Sequence, residues 1–453
     1  MRALFDALAD VVCSRARPGE LLVATLDAEA SEFVRLNGAR VRQAGRVERA
    51  TARLRLVDGE RQAFLHLMLP GLDAGFDAVA AALEPALSAL REAITDAAPD
   101  PLLDVQRGAL VSDDVQRDGE AGGFDRSCFV DTVAQAAGDS DLVGFCAAGP
   151  MARGFCSSAG SRQWFERERV AFDWSIHLPV DEAAGGARKA VKAGWSGRSL
   201  DAAAIAAAIA GSRADAAILA RPVMRLSPGD YRALLAPRAF ADLVEMLSWG
   251  GFSARAHRAG QSPLARLARG ESTLSPSFTV AEDLDAGFAP AFQADGFPRP
   301  RRVPLIEAGR VAGAPGAPRT AREFGLISNG ASDEESPQSL RIAPGDLSAR
   351  DALSRLGTGI ALSNLWYLNW SDRAAGRVTG MTRFACLWVE AGEPIAPIEA
   401  MRFDDSVYRL LGDALEALGD APVHLPADDT YDARAVGGIE APSALLSTLR
   451  FAL

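Results

Sequence analysis

The residues of this 453-residue chain with the means to do chemistry are four histidines, five cysteines and a few carboxylate pairs. Their spacing decides which chemistry is open. His66, His177, His257 and His424 are far apart, and no two lie one helical turn from each other, so a zinc helix of the HExxH type is absent. Cys13, Cys128, Cys146, Cys156 and Cys386 are odd in number, widely separated and free of any CxxC pair, which predicts reduced, mostly buried thiols. Cys386 sits in an apolar run with no histidine nearby in sequence. That favours a core residue over a nucleophile or ligand. The pairs Asp404-Asp405 and Asp428-Asp429 read as loop or helix N-terminal carboxylates. No GxGxxG, GxxxxGK[ST], GxSxG or SxxK pattern occurs, so dinucleotide, phosphate-loop, hydrolase-elbow and lactamase readings lack their anchors.

Composition narrows the classes further. The net charge of -11 and the lack of a basic run argue against a general nucleic-acid binder, because phosphate contacts need concentrated cations. Lys189 and Lys192 are the only lysines among 48 basic residues, a bias in keeping with the abundant alanine rather than with an arginine-specific role. Asp6 and Asp10 interrupt the apolar N-terminus, unlike a secretion signal. The most apolar run, Ala202 to Ala210, is shorter than the roughly 18 residues of a membrane span. A soluble cytoplasmic protein is expected, in which the Asn369-Trp370-Ser371 sequon has no meaning.

The elements that must position these residues follow from hydrophobic period. An amphipathic helix is expected over residues 2–14, then strands with turns at Asn37-Gly38 and Asp58-Gly59. Arg53 and Arg55 alternate with Leu54 and Leu56, which predicts a solvated sheet face. A helix over 74–93 should kink or break at Pro85. Residues 96–126, acidic and rich in Gly, Pro and Asp, read as a linker or mobile excursion, with a short helix over 128–137 beyond it. A three-segment meander follows, with a break near Gly149-Pro150 and His177 on the polar side of its last strand. An alanine-rich helix over 201–211 closes this half. The second half opens with a strand at Tyr231–Leu235 and a helix led by Pro237, ended by Gly250-Gly251. The whole predicts an α+β protein of two domains, 1–215 and 216–453, with largely antiparallel sheets and packed helices.

The densest strand-type stretch is Gly359 to Arg402, which holds Trp366, Trp370 and Trp388. It reads as a long strand, a polar connection SDRAAGRVTGMTR punctuated by Gly376 and Gly380, a second strand through Cys386, and a hairpin at EAGEP. The Gly- and Ser-rich residues 312–338 have the length of a loop that serves a site.

Several blocks in order, PGDYRALLAPRAFADLVEML, GFSARAHRAGQSPLARLARGE, RRVPLIEAGRV, PRTAREFGLISNGA and LSNLWYLNWSDRAAGRVTGMTRFACLWVEAGEPIAPIEAMRFDDSVYRLL, resemble the TldD/PmbA (TldE) family of peptidase-related proteins. The N-terminal segment GARVRQAGRVERATARLRLVDGERQAFLHL is similar to that family's first domain more loosely. The resemblance implies a TldD/TldE pair in which the TldD-type chain carries zinc on an HExxxH helix plus a later cysteine and cleaves peptides inside a chamber. Here the corresponding helix reads RAFADLVEMLSWGGF, with Asp242 and Glu245 but no histidine, so the chain resembles the metal-free TldE-like members. The expectation is therefore no catalytic or metal residue and no cofactor in this chain, with zinc in a TldD-like paralogue, the heterodimer partner; a homodimer is the alternative. Cys386 as an independent nucleophile is a weaker third reading. By the same resemblance, peptide substrates would meet Ser328, Asn329, Gly330, Asn369, Thr382 and Arg383, by strand addition at a sheet edge. Local turn chemistry at Asn369 and Thr382, and surface packing of Arg383, would explain those three equally well.

Overall fold

The computed structural model describes residues 1–116, 124–179, 189–428, 430 and 433–452. Asp429 and the middle of the expected 96–126 linker lie outside the described residues. The first half runs α1 (Arg2–Arg15), β1 (Leu21–Asn37), β2 (Arg40–Asp58), β3 (Arg61–Met68), α2 (Phe76–Asp96), β4 (Val111–Gln116), α3 (Arg126–Ala137), β5 (Asp141–Ser157), β6 (Arg162–His177), β7 (Ala190–Gly197) and α4 (Ala202–Leu219). Its strands form one sheet in the order β3-β2-β1-β5-β6-β4, with β7 also on β6; β4 alone is parallel to its neighbour. The second half runs β8 (Gly229–Leu235), α5 (Pro237–Glu245), α6 (Ala254–Arg258), α7 (Ala265–Ala268), β9 (Val280–Asp283), β10 (Arg302–Glu307), β11 (Arg310–Val311), α8 (Pro318–Phe324), β12 (Ser339–Ile342), α9 (Ala352–Leu356), β13 (Gly359–Asp372), β14 (Arg377–Glu390), β15 (Glu393–Pro397), β16 (Arg402–Ser406), α10 (Val407–Leu410), β17 (Leu415–Leu418), β18 (Val423–Pro426), β19 (Gly438–Ala441) and β20 (Ala444–Phe451). It makes a six-stranded sheet, β11-β10-β9-β12-β19-β18, and a seven-stranded one, β13-β8-β20-β16-β14-β15 with β17 also on β20. In the latter, direct pairing of β13 with β14 closes the strands on themselves. The fold is α+β with mostly antiparallel sheets, as the alternating periods require.

The period-2 pattern divides the first sheet into two differently used faces. Leu22, Ala24, Leu26, Leu54, Leu56 and Trp164 point to α1 and α2, and Val34, Leu36, Phe172, Trp174 and Ile176 meet α3 and α4. The opposite face carries Arg55, Gln163 and Arg167, which are buried. Here the expected solvated face is corrected: Arg55 forms an ion pair with Asp295 from the second half. Gln163 Nε2 donates to the Gly296 carbonyl at 2.8 Å, and Arg167 Nε donates to the Gly287 carbonyl at 3.2 Å. Arginine in an alternating strand is compatible with solvent or with a polar interface, and only the partner decides.

Other expectations change for local reasons. α2 is continuous through Pro85, because proline lies on its exposed side while Leu83, Leu87, Leu90 and Ile94 hold the buried one. The carbonyl that loses its donor can then turn to water. The meander's first two segments are one strand: Gly149, at φ 129°, passes so close to the Ala30 carbonyl that an added Cβ would lie 2.2 Å from its oxygen. Within the expected 96–126 linker, residues 111–116 form β4 on β6. α4 extends to Leu219, and its 18 residues reach the length and apolarity of a membrane span. Nevertheless Ile205 and Ile209 pack beside Phe129 and Trp174, and Leu219 beside Leu387. The polar connection of the long hairpin shrinks to residues 373–376, and 377–383 belong to β14. Gly380 is not a loop marker: a Cβ there would meet Phe403 at 2.8 Å and Leu368 at 2.9 Å. Asp404 and Asp405 lie within β16, not in a loop, and Asp405 is buried against Arg409.

Candidate functional site

A cavity of about 590 Å³ opens between α5, the bulged middle of β13, residues 336–340 and the segments around Asp428 and Gly438. α5 forms as its residues dictate. Pro237 occupies the first turn, and Ala239, Phe240, Leu243 and Val244 bury one side. Arg238, Asp242 and Glu245 are left on the side that lines the cavity. The opposite wall comes from Asn364 to Leu368 and Phe384.

That wall is backbone-strained. The β13–β14 register slips between Leu362 and Asn364 and again between Trp366 and Asn369. Phe384 takes φ 62° and Tyr367 φ 50°, left-handed values that bulky residues adopt at a cost of about 1–3 kcal/mol each. The two bulges turn aromatic side chains toward the opening. Trp366 and Tyr367 lie 5.3 Å apart edge to face, and Tyr367 is 74% exposed. Arg383 stacks on Trp366 at 4.2 Å and on Phe384 at 5.0 Å, which braces the platform.

The inner wall is acidic and only partly neutralised. Arg238 donates to Asp428 at 2.5 Å and stands 3.8 Å from Asp242. Lys192 is held by Asp173 at 2.7 Å. Glu245 has neither a hydrogen bond nor an ion pair among the described residues. Burial pushes its carboxyl up to about 7, against the pull of Arg238. Burial likewise raises Asp242 to about 6, opposed by Arg238 and the Leu365 backbone N–H. Asn364 is 8% exposed and its Oδ1 has no partner, as is true of Ser248 Oγ; both residues line the cavity. The cavity thus sets the carboxylates of Asp242 and Glu245 opposite the aromatic wall of Trp366, Tyr367 and Phe384.

Of the residues singled out in the sequence, none of Ser328, Asn329, Gly330, Asn369, Thr382 and Arg383 lines this cavity, although Arg383 touches two that do. Ser328 Oγ donates to the Gly316 carbonyl and accepts from Gly330 N, each at 2.9 Å. Asn329 bridges Ala314 O and Gly316 N at 2.9 Å. Gly330, at φ 73°, passes so close to Pro298 that an added Cβ would sit 2.1 Å from its carbonyl oxygen. Thr382 is buried, and its Oγ1 accepts from Met401 N at 2.9 Å. Asn369 is exposed and its Oδ1 faces the Trp370 N–H at 2.8 Å. Cys386 is 3% exposed, donates to the Arg383 carbonyl at 3.2 Å, and is pushed up to about 11 by burial. The residues missed in the sequence are Glu245, Asn364 and Tyr367. Only Glu245 carried a signal, as an acid on the polar side of a short helix.

A model of the C-terminal domain of the PmbA/TldA metallopeptidases matches residues 228–453. Three solved structures share the fold over the full length of this chain. TldE from Thermococcus kodakarensis is 15% identical, with each chain covered 100% and a TM-score of 0.77. A Thermotoga maritima protein described as a candidate modulator of a DNA gyrase is 15% identical, with each chain covered 100% and a TM-score of 0.72. A Bacteroides thetaiotaomicron protein of like description is 13% identical, with 100% of this chain and 98% of the other covered and a TM-score of 0.72. Among curated proteins none matches. The chain belongs to the TldD/PmbA family.

A metallopeptidase family implies zinc, and the cavity residues do not fit it. α5 offers two carboxylates and no histidine, and among the described residues no three His, Cys, Asp or Glu side chains are grouped to hold a metal ion.

Proposed function

We propose that this chain is a TldE/PmbA-like, metal-free subunit of a TldD/TldE-type zinc peptidase, which takes part in proteolysis of peptides or unfolded small proteins. Family membership supports the reading, together with one observation above others: the helix that faces the cavity bears Asp242 and Glu245 where a zinc-binding helix needs histidines. In this reading the chain supplies chamber wall and substrate contacts, and a cytoplasmic TldD-like paralogue supplies the metal. Co-purification with the zinc-bearing paralogue, followed by a peptide cleavage assay, tests it. A stable complex that cleaves faster than the paralogue alone is expected; no complex and unchanged cleavage would overturn it.

The second reading is a stand-alone peptide-binding or adaptor protein, a homodimer without peptidase activity. It is favoured by the strained aromatic platform beside the carboxylates of α5, all within a single chain. Tight peptide binding by the purified chain, unchanged when the paralogue is added, would select it.

A further inference from the structure

We propose that a second cavity, of about 530 Å³ between the polar face of the first sheet and residues 433–435, is an anion site that takes a carboxylate, with Arg49 and His66 as its free donors and Arg434 as the buried charge behind them. A peptide as carrier of that carboxylate rests on the reading above; the charge balance of the cavity does not.

Strand register brings these side chains to one face. Arg49 stands opposite Glu29, Thr51 opposite both Asp27 and Met68, and Arg153 opposite Asp27, and cross-strand partners share a face. Arg153 is spent on Asp27 at 2.5 Å. Glu29, the acid across from Arg49, instead accepts from Ser31 Oγ at 3.1 Å and from the Arg434 backbone N–H at 3.4 Å. Arg49 and His66 have neither a hydrogen bond nor an ion pair among the described residues, and both line the cavity, His66 on its exposed rim. Behind them lies charge without a counterion. Arg434 is 9% exposed, and its guanidinium donates only to neutral oxygens, Ser31 Oγ at 3.1 Å and the carbonyls of Gly149 and Arg169 at 3.0 Å each. Arg169 is itself 7% exposed and has no hydrogen bond or ion pair among the described residues. Burial, with Arg434 and Arg167 beside it, pushes it down to about 10, so it stays charged at neutral pH. Around the cavity, Arg49, Arg153, Arg169 and Arg434 thus outnumber the acids Asp27 and Glu29 among the described residues, in a chain whose net charge is -11. A cleft lined by one sign of charge, with low-dielectric walls, concentrates the opposite ion. A carboxylate also matches the two-pronged donor geometry of a guanidinium such as that of Arg49. The same excess repels an ammonium or a metal cation.

The carboxylate has two sources, a peptide C-terminus and an acidic side chain, and four N-acetylated versions of one otherwise uncharged hexapeptide separate them: free C-terminus, C-terminal amide, amide with a central glutamate, and amide with glutamine at that position. Binding to the full chain is measured by calorimetry at pH 7.5 and low salt. At least one carboxylate-bearing peptide should bind about ten-fold or more tighter than its neutral counterpart. That preference should shrink in about 0.5 M salt, because the free donors are open to solvent. Arg49→Gln should cut the preference about five-fold or more, and His66→Gln is a second test of the same wall; thermal melts confirm that both variants are folded. Arg434 is left in place because it also anchors its segment to the first sheet. Equal affinity across the four peptides, no binding by any, or a preference that survives both variants overturns the proposal. Association with a zinc-bearing paralogue is read separately, so absence of a carboxylate preference with an intact complex sinks this inference alone.

Discussion

Arg55 and Asp295 are 240 residues apart in sequence and form a buried ion pair that fastens the first sheet to the second half of the chain. Gln163, Arg167 and Arg434 add hydrogen bonds across the same boundary. Arg434 donates to Ser31 Oγ at 3.1 Å and to the Gly149 and Arg169 carbonyls at 3.0 Å each.

Removal of one partner of a buried pair strands the other charge. Arg55→Ala should cost about 3–5 kcal/mol, read as a lowered denaturant midpoint. Arg55→Met combined with Asp295→Leu should recover most of that loss, because it removes both desolvated charges. If the single variant is as stable as the parent, the pair does not fasten the halves.

Glu245 predicts a pH signature. Its carboxyl has an ordinary value of 4.5 and a folded value of about 7. Between these the native state holds a proton that the unfolded chain has released, so this group's contribution to stability falls as pH rises from 4.5 through 7. Glu245→Gln should therefore gain thermal stability over the parent above pH 7 and match it below pH 4.5. A difference in melting temperature that is flat with pH would contradict the burial of this carboxyl.

Thiol reactivity separates core from chemistry. Cys13 and Cys128 are exposed, whereas Cys146, Cys156 and Cys386 are buried, with Cys146 pushed up to about 12 by burial. A disulfide reagent at pH 8 should titrate two thiols quickly and three more only on unfolding. Cys386→Ser should leave peptide binding unchanged. A fast-reacting Cys386 would restore the nucleophile reading.

The loop of Ser328, Asn329 and Gly330 allows structural and substrate roles to be told apart. Gly330→Ala forces a Cβ into the Pro298 carbonyl at 2.1 Å and a side chain into φ 73°, and should cost about 2 kcal/mol or more. Ser328→Ala loses two loop hydrogen bonds and should cost about 1 kcal/mol. Stability assays check both. Unaltered stability with weakened peptide binding would mean that the loop touches substrate.

Much of the fold was legible locally. The α1 and α5 starts, the turns at Gly38 and Gly59 and the strand identities follow from apolar period and from residues that tolerate positive φ, since these are properties of a few neighbours. Strand lengths were harder. β5 runs through Gly149-Pro150 and β14 through Gly380, because each glycine answers a close neighbour from another strand rather than a turn. Pro85 does not break α2, because the cost of a proline depends on which side of the helix faces water.

The site divides along the same line. By itself the sequence determined the absence of a histidine zinc helix, the carboxylates on α5 and the family-like order of blocks, all carried by residue type and spacing along the chain. Only the tertiary structure decided that Glu245 forms no ion pair among the described residues, that Asn364 Oδ1 is buried and unpaired, and that Trp366 and Tyr367 line the same cavity. Those facts depend on where Arg238 finds Asp428 and on two register slips in β13, and distances between segments far apart in the chain set both. Burial, which raises the carboxyl of Glu245, is a property of the packed surroundings and not of the residue.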